Sequence, residues 1–343
     1  MPIRIRFGNS APQEECQPKL GFHCMISHLI TAGLTDIGQR RESNQDHFLI
    51  ADVTRSLQIA GSSLPLEAGQ RVYGSPLSRL ILVADGMGGH QAGARASAQA
   101  IESVVHELLD CPEWFDLIDN EQLDQFALRI DRLFRAAHRS LETASKSDPN
   151  LKGMGTTLTL VYIAWPRMLV VHAGDSRCYL MRNGQLKVLT KDHTIASQLV
   201  TRGELREEDA ASSPWGNMLW NVLGGGGTEV RPEMCTVDLK MEDWVLVCSD
   251  GLNKHLSDEE IQRHLIGGGE PSYIAQQLIQ SANEKGGVDN VTVVLTRAAS
   301  PLADPTGEYP KSSTTCAGDV SKETIDHLSP STTVDMDDSA PQP

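Results

Sequence analysis

The chain has 343 residues, 40% hydrophobic and 22% charged, enough to bury a full core in one large or two ordinary domains. Its formal net charge of −15 argues against a general nucleic-acid binder and against docking on an anionic membrane, because both draw affinity from basic side chains. Seven scattered cysteines, none in a C-x-x-C pair, signal neither a zinc ribbon nor a thioredoxin-type site and fit a reducing compartment.

Residues 1–30 are weakly patterned and read as an extension or an edge strand. They hold no continuous apolar run of the signal-peptide kind, and no stretch approaches the roughly 18 apolar residues of a membrane span. A cytoplasmic protein is expected, and a monomer. "DHFLIAD" from Asp46 reads as a strand, and "GSSLPLEAGQRVYGSP" from Gly61 reads as a loop, with Gly, Pro and Ser spaced as in turns. "RLILVAD", Arg79 to Asp85, is a continuous apolar run of strand length, so a strand buried on both faces.

Two helical patterns follow, "QAGARASAQAIESVVHELLD" and "NEQLDQFALRIDRLFRAAHRSLETAS". In the second, Leu123, Phe126, Ile130, Leu133, Phe134 and Ala137 recur at three- and four-residue spacing and make an apolar face for the core. Beyond "GMGTT" comes a meander of "LTLVYIAW", "RMLVVHAG", "RCYLMR" and "QLKVLT", with Asn183-Gly184 as a hairpin turn. Residues 193–230 are polar and read as an excursion off the sheet that contains the helix-prone "IASQLVTRGELREEDA".

"WVLVCSD" is another buried strand, and "SDEEIQRHL" opens on a capping box of Ser257 and Glu260. "PSYIAQQLIQSANEKGG" has Pro at its start and Gly past its end, the asymmetry of a helix. "VDNVTVVLTRA" closes the patterned region as a strand. From about residue 299 the chain turns rich in Ser, Thr, Pro and Asp and is too poor in large apolar residues to offset its ordering entropy. The expected organisation is an extension over 1–30, one α+β domain over 31–298 and a disordered tail over 299–343.

The chemistry sits in aspartates at strand ends. Asp46 precedes a strand, Asp85 and Asp250 end apolar strands and are each followed by glycine, and Asp289 precedes "NVTVVL". Hardly a lysine lies near any of them in the sequence. If these ends converge, the carboxylates are costly to ionise together unless hard divalent cations compensate them, and oxygen-only ligation suits Mg²⁺ or Mn²⁺. Glycine at 86 would let the backbone approach such an ion closely. Arg41, five residues before Asp46, offers a guanidinium that forks onto two phosphate oxygens. Turn chemistry is the competing explanation of each Asp-Gly pair.

Five ordered blocks, "GQRRESNQD", "ADGMGGHQAG", "GMGTTLTLVYI" with "HAGDSRCYL", "CSDGL" and "GGVDNVTVVL", resemble the metal-dependent protein phosphatases of type 2C, of the bacterial kind. The resemblance runs from about Thr31 to Arg297. It implies a four-layer αββα sandwich, with a central antiparallel β-sandwich and helices on both faces. It further implies two Mg²⁺ or Mn²⁺ ions, with Asp85 and the Gly86 carbonyl as ligands, Asp250 and Asp289 completing the set, and Asp46 acting through water. Arg41 matches the arginine that grips substrate phosphate, while Thr156, Thr157, Asp175 and Arg177 fall in family motifs as structural support.

The implied reaction is hydrolysis of phosphoserine and phosphothreonine in proteins, substrates of a bacterial Ser/Thr kinase, by a water activated between the two cations. No cysteine or histidine nucleophile falls within the blocks.

Three departures stand out. Gln45 replaces a glutamate common in the family. Met87 stands where eukaryotic members carry the histidine acid, which leaves His90 or water of the metal site as the proton donor. Asn150 and Lys152, with Asp148 further back, stand where bacterial members place an acidic residue for a third ion, which argues against that ion. A dinucleotide fold is disfavoured because Gln91 takes the third glycine's place in "GMGGHQ". The alternative within the family is a catalytically weak relative that binds phosphoproteins as a regulatory module; loss of a metal aspartate would signal it, and all four are present.

Overall fold

The computed structural model describes residues 29–299 except 75, 111–122, 211–212 and 228, without the side chains of 90 and 123–127. The expected extension and tail therefore lie almost wholly outside the described residues. The strands are β1 (Leu29–Asp36), β2 (Asp46–Val53), β3 (Ser56–Gln58), β4 (Arg71–Tyr73), β5 (Ser78–Met87), β6 (Gly155–Thr156) and β7 (Leu158–Ala164). They continue with β8 (Arg167–Ala173), β9 (Arg177–Arg182), β10 (Gln185–Val188), β11 (Leu223–Gly224), β12 (Glu233–Asp238), β13 (Trp244–Cys248) and β14 (Val291–Ala298). The helices are α1 (His90–Leu109), α2 (Leu123–Ser147), α3 (Ile195–Thr201), α4 (Glu207–Ala210), α5 (Asp250–Asn253), α6 (Asp258–Ile266) and α7 (Pro271–Glu284).

Two antiparallel sheets form the centre. One runs β1-β14-β13-β9-β10; the other runs β11-β6-β5-β7-β8-β12, with β2 on the side of β5. The alternation along β5 explains why it is apolar throughout. Leu80, Leu82 and Ala84 pack with Ala96, Ala100, Val104, Phe134 and Leu141 of α1 and α2. Ile81 and Val83 point the other way, into a layer shared with Leu180, Val245, Val247 and Val294 of the second sheet. That second sheet turns Leu246, Val293 and Leu295 toward α6 and α7, which contribute Ile261, Leu265, Ile274 and Leu278. Three apolar layers between four structural layers give the αββα sandwich. Phe134, fully buried in the layer between α2 and the β5 sheet, would cost about 3–5 kcal/mol if truncated to alanine.

Local signals match where they rest on chemistry within a few residues. Ser257 and Glu260 form the reciprocal capping box of α6. Asn183 and Gly184 both take positive φ, 51° and 76°, as the tight turn between β9 and β10 requires. On α2, Ile130, Leu133, Phe134 and Ala137 are buried as the stripe predicts, whereas the side chains of Leu123 and Phe126 lie outside the described set.

Three expectations are corrected. The loop-like segment from Gly61 contains β4, which pairs with β3 as an exposed hairpin; its short strands bury no face and so carry no alternation. The helix-prone stretch from Ile195 is two short helices, broken at Gly203 with φ 72°. The excursion also rejoins the sheet before its expected end, because Leu223 pairs with Thr156. Among the described residues no helix is long and apolar enough to cross a membrane.

Candidate active site

One end of the sandwich holds a cavity of about 340 Å³, and the predicted residues arrive there on different elements. Arg41 and Gln45 come from the β1–β2 connection, Asp85 and Gly86 from β5, Asp250 from the start of α5, and Asp289 from the residues before β14. Asp46 sits directly behind them, as the register partner of Asp85 across β2 and β5.

Each carboxylate is positioned by a short set of backbone and hydroxyl contacts. The Asp85 backbone is clamped: its N–H donates to Thr157 Oγ1 at 3.0 Å, and its carbonyl accepts from Thr156 Oγ1 at 2.8 Å and Thr157 N–H at 2.9 Å. Thr156 and Thr157 are thus support, as the motifs imply. Asp46 Oδ2 accepts from Ser249 Oγ at 2.6 Å and Thr292 Oγ1 at 2.8 Å. Asn290 fixes the Arg41 connection by accepting from Gln45 N–H and donating to the carbonyls of Ile37 and Ser43. The same Asn290 donates its N–H to Asp289 Oδ1.

Packing by itself already requires glycine at 86. A Cβ there would lie 2.1 Å from the Gly93 carbonyl oxygen and 2.8 Å from that of Gln45, so the start of α1 packs directly on its backbone. Gly88 and Gly89, with φ of 122° and 89°, then turn the chain into α1.

The electrostatics are those of crowded acids. Burial pushes the Asp46 carboxyl up to about 7, the Ser249 and Thr292 hydroxyls opposing it and Asp250 and Asp289 adding to it. Asp85 is held well above the usual carboxylate range by burial and then by Asp46, Asp250, Asp175 and Asp289. Asp175 also lines the cavity, and burial together with Asp250 raises it to about 7 while Lys254 pulls it back. The motif reading assigns Asp175 only a supporting part; its buried carboxyl belongs to the site itself. Arg177, by contrast, is a support, forked onto Asp192 at 2.9 and 2.8 Å.

Two cations of the chain meet these acids. Arg41 bonds Asp289 at 2.8 Å, and Lys254 forms a short ion pair with Asp250 Oδ2. The expectation that hardly a lysine is near is corrected by Lys254. It stands four residues past Asp250, and the helical turn of α5 brings that spacing together. Asp250-x-x-x-Lys254 was the signal in the sequence; Ser249 and Asn290, each adjacent to a predicted aspartate, and Thr292 on β14 were also missed.

Among the described residues no three His, Cys, Asp or Glu side chains close around a single point as a finished metal cage. The donor chemistry nevertheless fits a hard divalent cation. Asp46 Oδ1 and Asp250 Oδ1 are buried without a hydrogen-bond partner, every predicted donor is oxygen, and burial and neighbouring acids raise Asp46 and Asp85. Asp148 lies elsewhere, capping the exposed turn Pro149–Leu151 with Oδ1 on Asn150 N–H. His90 is the first residue of α1, and its side chain is outside the described set.

Comparison with known proteins agrees with this fold. A family model described as Protein phosphatase 2C matches residues 73–297. The serine/threonine protein phosphatase PstP of Mycobacterium tuberculosis is 38% identical over 218 residues, which is 64% of this chain and 40% of that protein. The chain therefore spans about two fifths of the length of that curated relative. A serine/threonine phosphatase structure from S. agalactiae superposes with a TM-score of 0.65 at 32% identity, covering 78% of this chain and 99% of that one. The catalytic domain of PstP in complex with two manganese ions gives a TM-score of 0.60 at 34% identity, over 78% of this chain and 97% of that one. With the family model covering most of the sandwich and both structures matching its architecture, the chain belongs to the protein phosphatase 2C family.

Proposed function

We propose that the protein hydrolyses phosphoserine and phosphothreonine in other proteins, with two divalent cations, Mg²⁺ or Mn²⁺, as cofactors. The observation that carries this reading is the gathering of Asp85, Asp250 and Asp289 around one cavity, with Asp46 directly behind Asp85 and Arg41 at the edge. Asp85, Asp250, Asp289 and the Gly86 carbonyl would hold the ions, Asp46 acting on them through water. When bound, the ions supply a water acidified to near-neutral pH and charge that offsets the phosphate.

The chain's own residues do the rest. Thr156 and Thr157 fix the Asp85 backbone, and Ser249 and Thr292 fix the Asp46 carboxylate, so that neither swings when a phosphate enters. Arg41 leaves Asp289 and forks onto two non-bridging phosphate oxygens, orienting the phosphoryl group for in-line attack and stabilising its charge. Direct attack by water is favoured over a phosphoenzyme because no cysteine or histidine is among the described residues that line the cavity and the carboxylates proposed as ligands would be occupied by the ions. His90 or water of the site remains the candidate donor of a proton to the leaving oxygen.

The substrates would be proteins phosphorylated by a Ser/Thr kinase of the same cytoplasm, met by a monomer without nucleic-acid or membrane partners. The regulatory-module alternative gains no support from the site, because all four aspartates keep positioned surroundings. A panel of phosphopeptides in Mn²⁺ tests the reading. Phosphoserine and phosphothreonine peptides should release phosphate, with no phosphate retained on the protein by mass spectrometry; a trapped phosphoprotein or an inert panel would refute it.

A further inference from the structure

Lys254 stands out because its ammonium is placed among carboxylates that the reaction needs. It pairs with Asp250 Oδ2, leaves Asp250 Oδ1 buried and without a partner, and lines the same cavity as Asp85, Asp175 and Asp289. Its side chain is only 33% exposed, so solvent screens this charge less than it would on an open surface.

The charge count gives the lysine a role. Leaving aside Glu42, which lines the cavity but is exposed, the buried and half-buried Asp46, Asp85, Asp175, Asp250 and Asp289 carry five negative charges when all are ionised, and two divalent cations supply four positive ones. Lys254 balances the fifth, which leaves Arg41 free for the phosphate.

We propose that Lys254 is a tethered cation of the metal site: it neutralises Asp250 in the metal-free protein, orients the free Oδ1 toward the cavity, and holds down the affinity for divalent cation. The proposal rests on the metal-dependent reading above and adds to it the residue that sets metal affinity.

Two effects oppose each other when the lysine is removed. Losing a hydrogen bond that orients a ligand weakens metal binding about tenfold to a hundredfold. Losing the repulsion between an ammonium and a divalent cation that share one carboxylate strengthens it by more, because that repulsion scales with the double charge of the ion and acts inside a partly buried site. Charge wins, and net affinity rises. A lysine that served only to pack the α5 turn would show the opposite sign.

The test is Mn²⁺ titration by calorimetry on the metal-stripped full chain, with melting curves recorded alongside. Lys254→Gln should bind Mn²⁺ about tenfold more tightly than wild type and melt lower without metal, since Asp250 then lacks its partner. Lys254→Arg should keep the wild-type values. If the glutamine variant folds only with metal, competition against a chelator in the loaded protein reads the same affinity. Equal or weaker binding by Lys254→Gln overturns the proposal and leaves the metal reading standing. Failure of the wild type to take up Mn²⁺ overturns both.

Discussion

Asp46, on β2 of one sheet, accepts a 2.8 Å hydrogen bond from Thr292, on β14 of the other. With the Ser249 hydroxyl at 2.6 Å, this bond ties the two sheets together at the candidate active site through a single buried carboxylate. Thr292→Val should therefore leave the sandwich folded but weaken Mn²⁺ binding about tenfold to a hundredfold, as loss of an outer hydrogen bond to a metal-site carboxylate does. Adding Ser249→Ala should weaken it further. Calorimetric Mn²⁺ titration of the single and double variants checks both steps.

Asp85→Asn and Asp250→Asn remove charge from the cluster itself. Each should lower turnover by more than about a hundredfold, since in the proposed arrangement both carboxylates hold an ion directly. Asp85→Asn should also raise the metal-free melting temperature, because burial and the neighbouring carboxylates oppose ionisation of Asp85 and the amide carries no charge to be opposed. Steady-state rates in saturating Mn²⁺, with melting curves in chelator, separate the two effects.

Arg41→Ala should raise KM for a phosphopeptide about tenfold or more and change kcat less. The guanidinium is about half exposed and bonds Asp289, so the contribution proposed for it is to substrate binding. Arg41→Lys should recover part of the loss, because an ammonium restores the charge but not the fork.

His172 supplies a pH dependence apart from the acidic cluster. It is buried, with Nε2 on the Gly174 carbonyl and Nδ1 on Thr159 Oγ1; burial, then the neighbouring His193, lowers it to about 3. A histidine depressed on folding contributes no penalty above its unfolded value near 6.5 and costs stability progressively as pH falls from there toward 3. Asp46 and Asp175, raised to about 7, act with the opposite sign, their contribution being present below 3.8 and lost as pH rises through 7. The difference between wild type and His172→Gln isolates the histidine. The variant should lose less stability than wild type between pH 6.5 and 4, by denaturant unfolding in chelator.

Much of this was legible in the sequence because its causes are local. β5 declares itself by apolar residues on both faces, α6 by Ser257 and Glu260, and the β9–β10 turn by Asn183-Gly184. The hairpin of β3 and β4 did not show, since exposed three-residue strands are under no pressure to alternate. β12 was passed over although Cys235 and Val237 pack inward, because its other residues are exposed and all but Met234 are polar. At the site, the four aspartates were legible as strand-end residues, whereas their counterions were not. Arg41 reaches Asp289 across 248 residues, a contact that only the paired sheets bring about. Gly86 was assigned to the right place for an incomplete reason, its close contact with Gly93 being visible only once α1 is packed.

The central claim, that divalent cation held by these aspartates drives phosphoester hydrolysis, is tested most directly by phosphate release from a phosphothreonine peptide by the metal-stripped full chain. The account predicts no release in chelator, release on adding Mn²⁺, and none on adding Mn²⁺ to Asp250→Asn. Release that persists in chelator, or that survives in the Asp250→Asn variant at the wild-type rate, would contradict it.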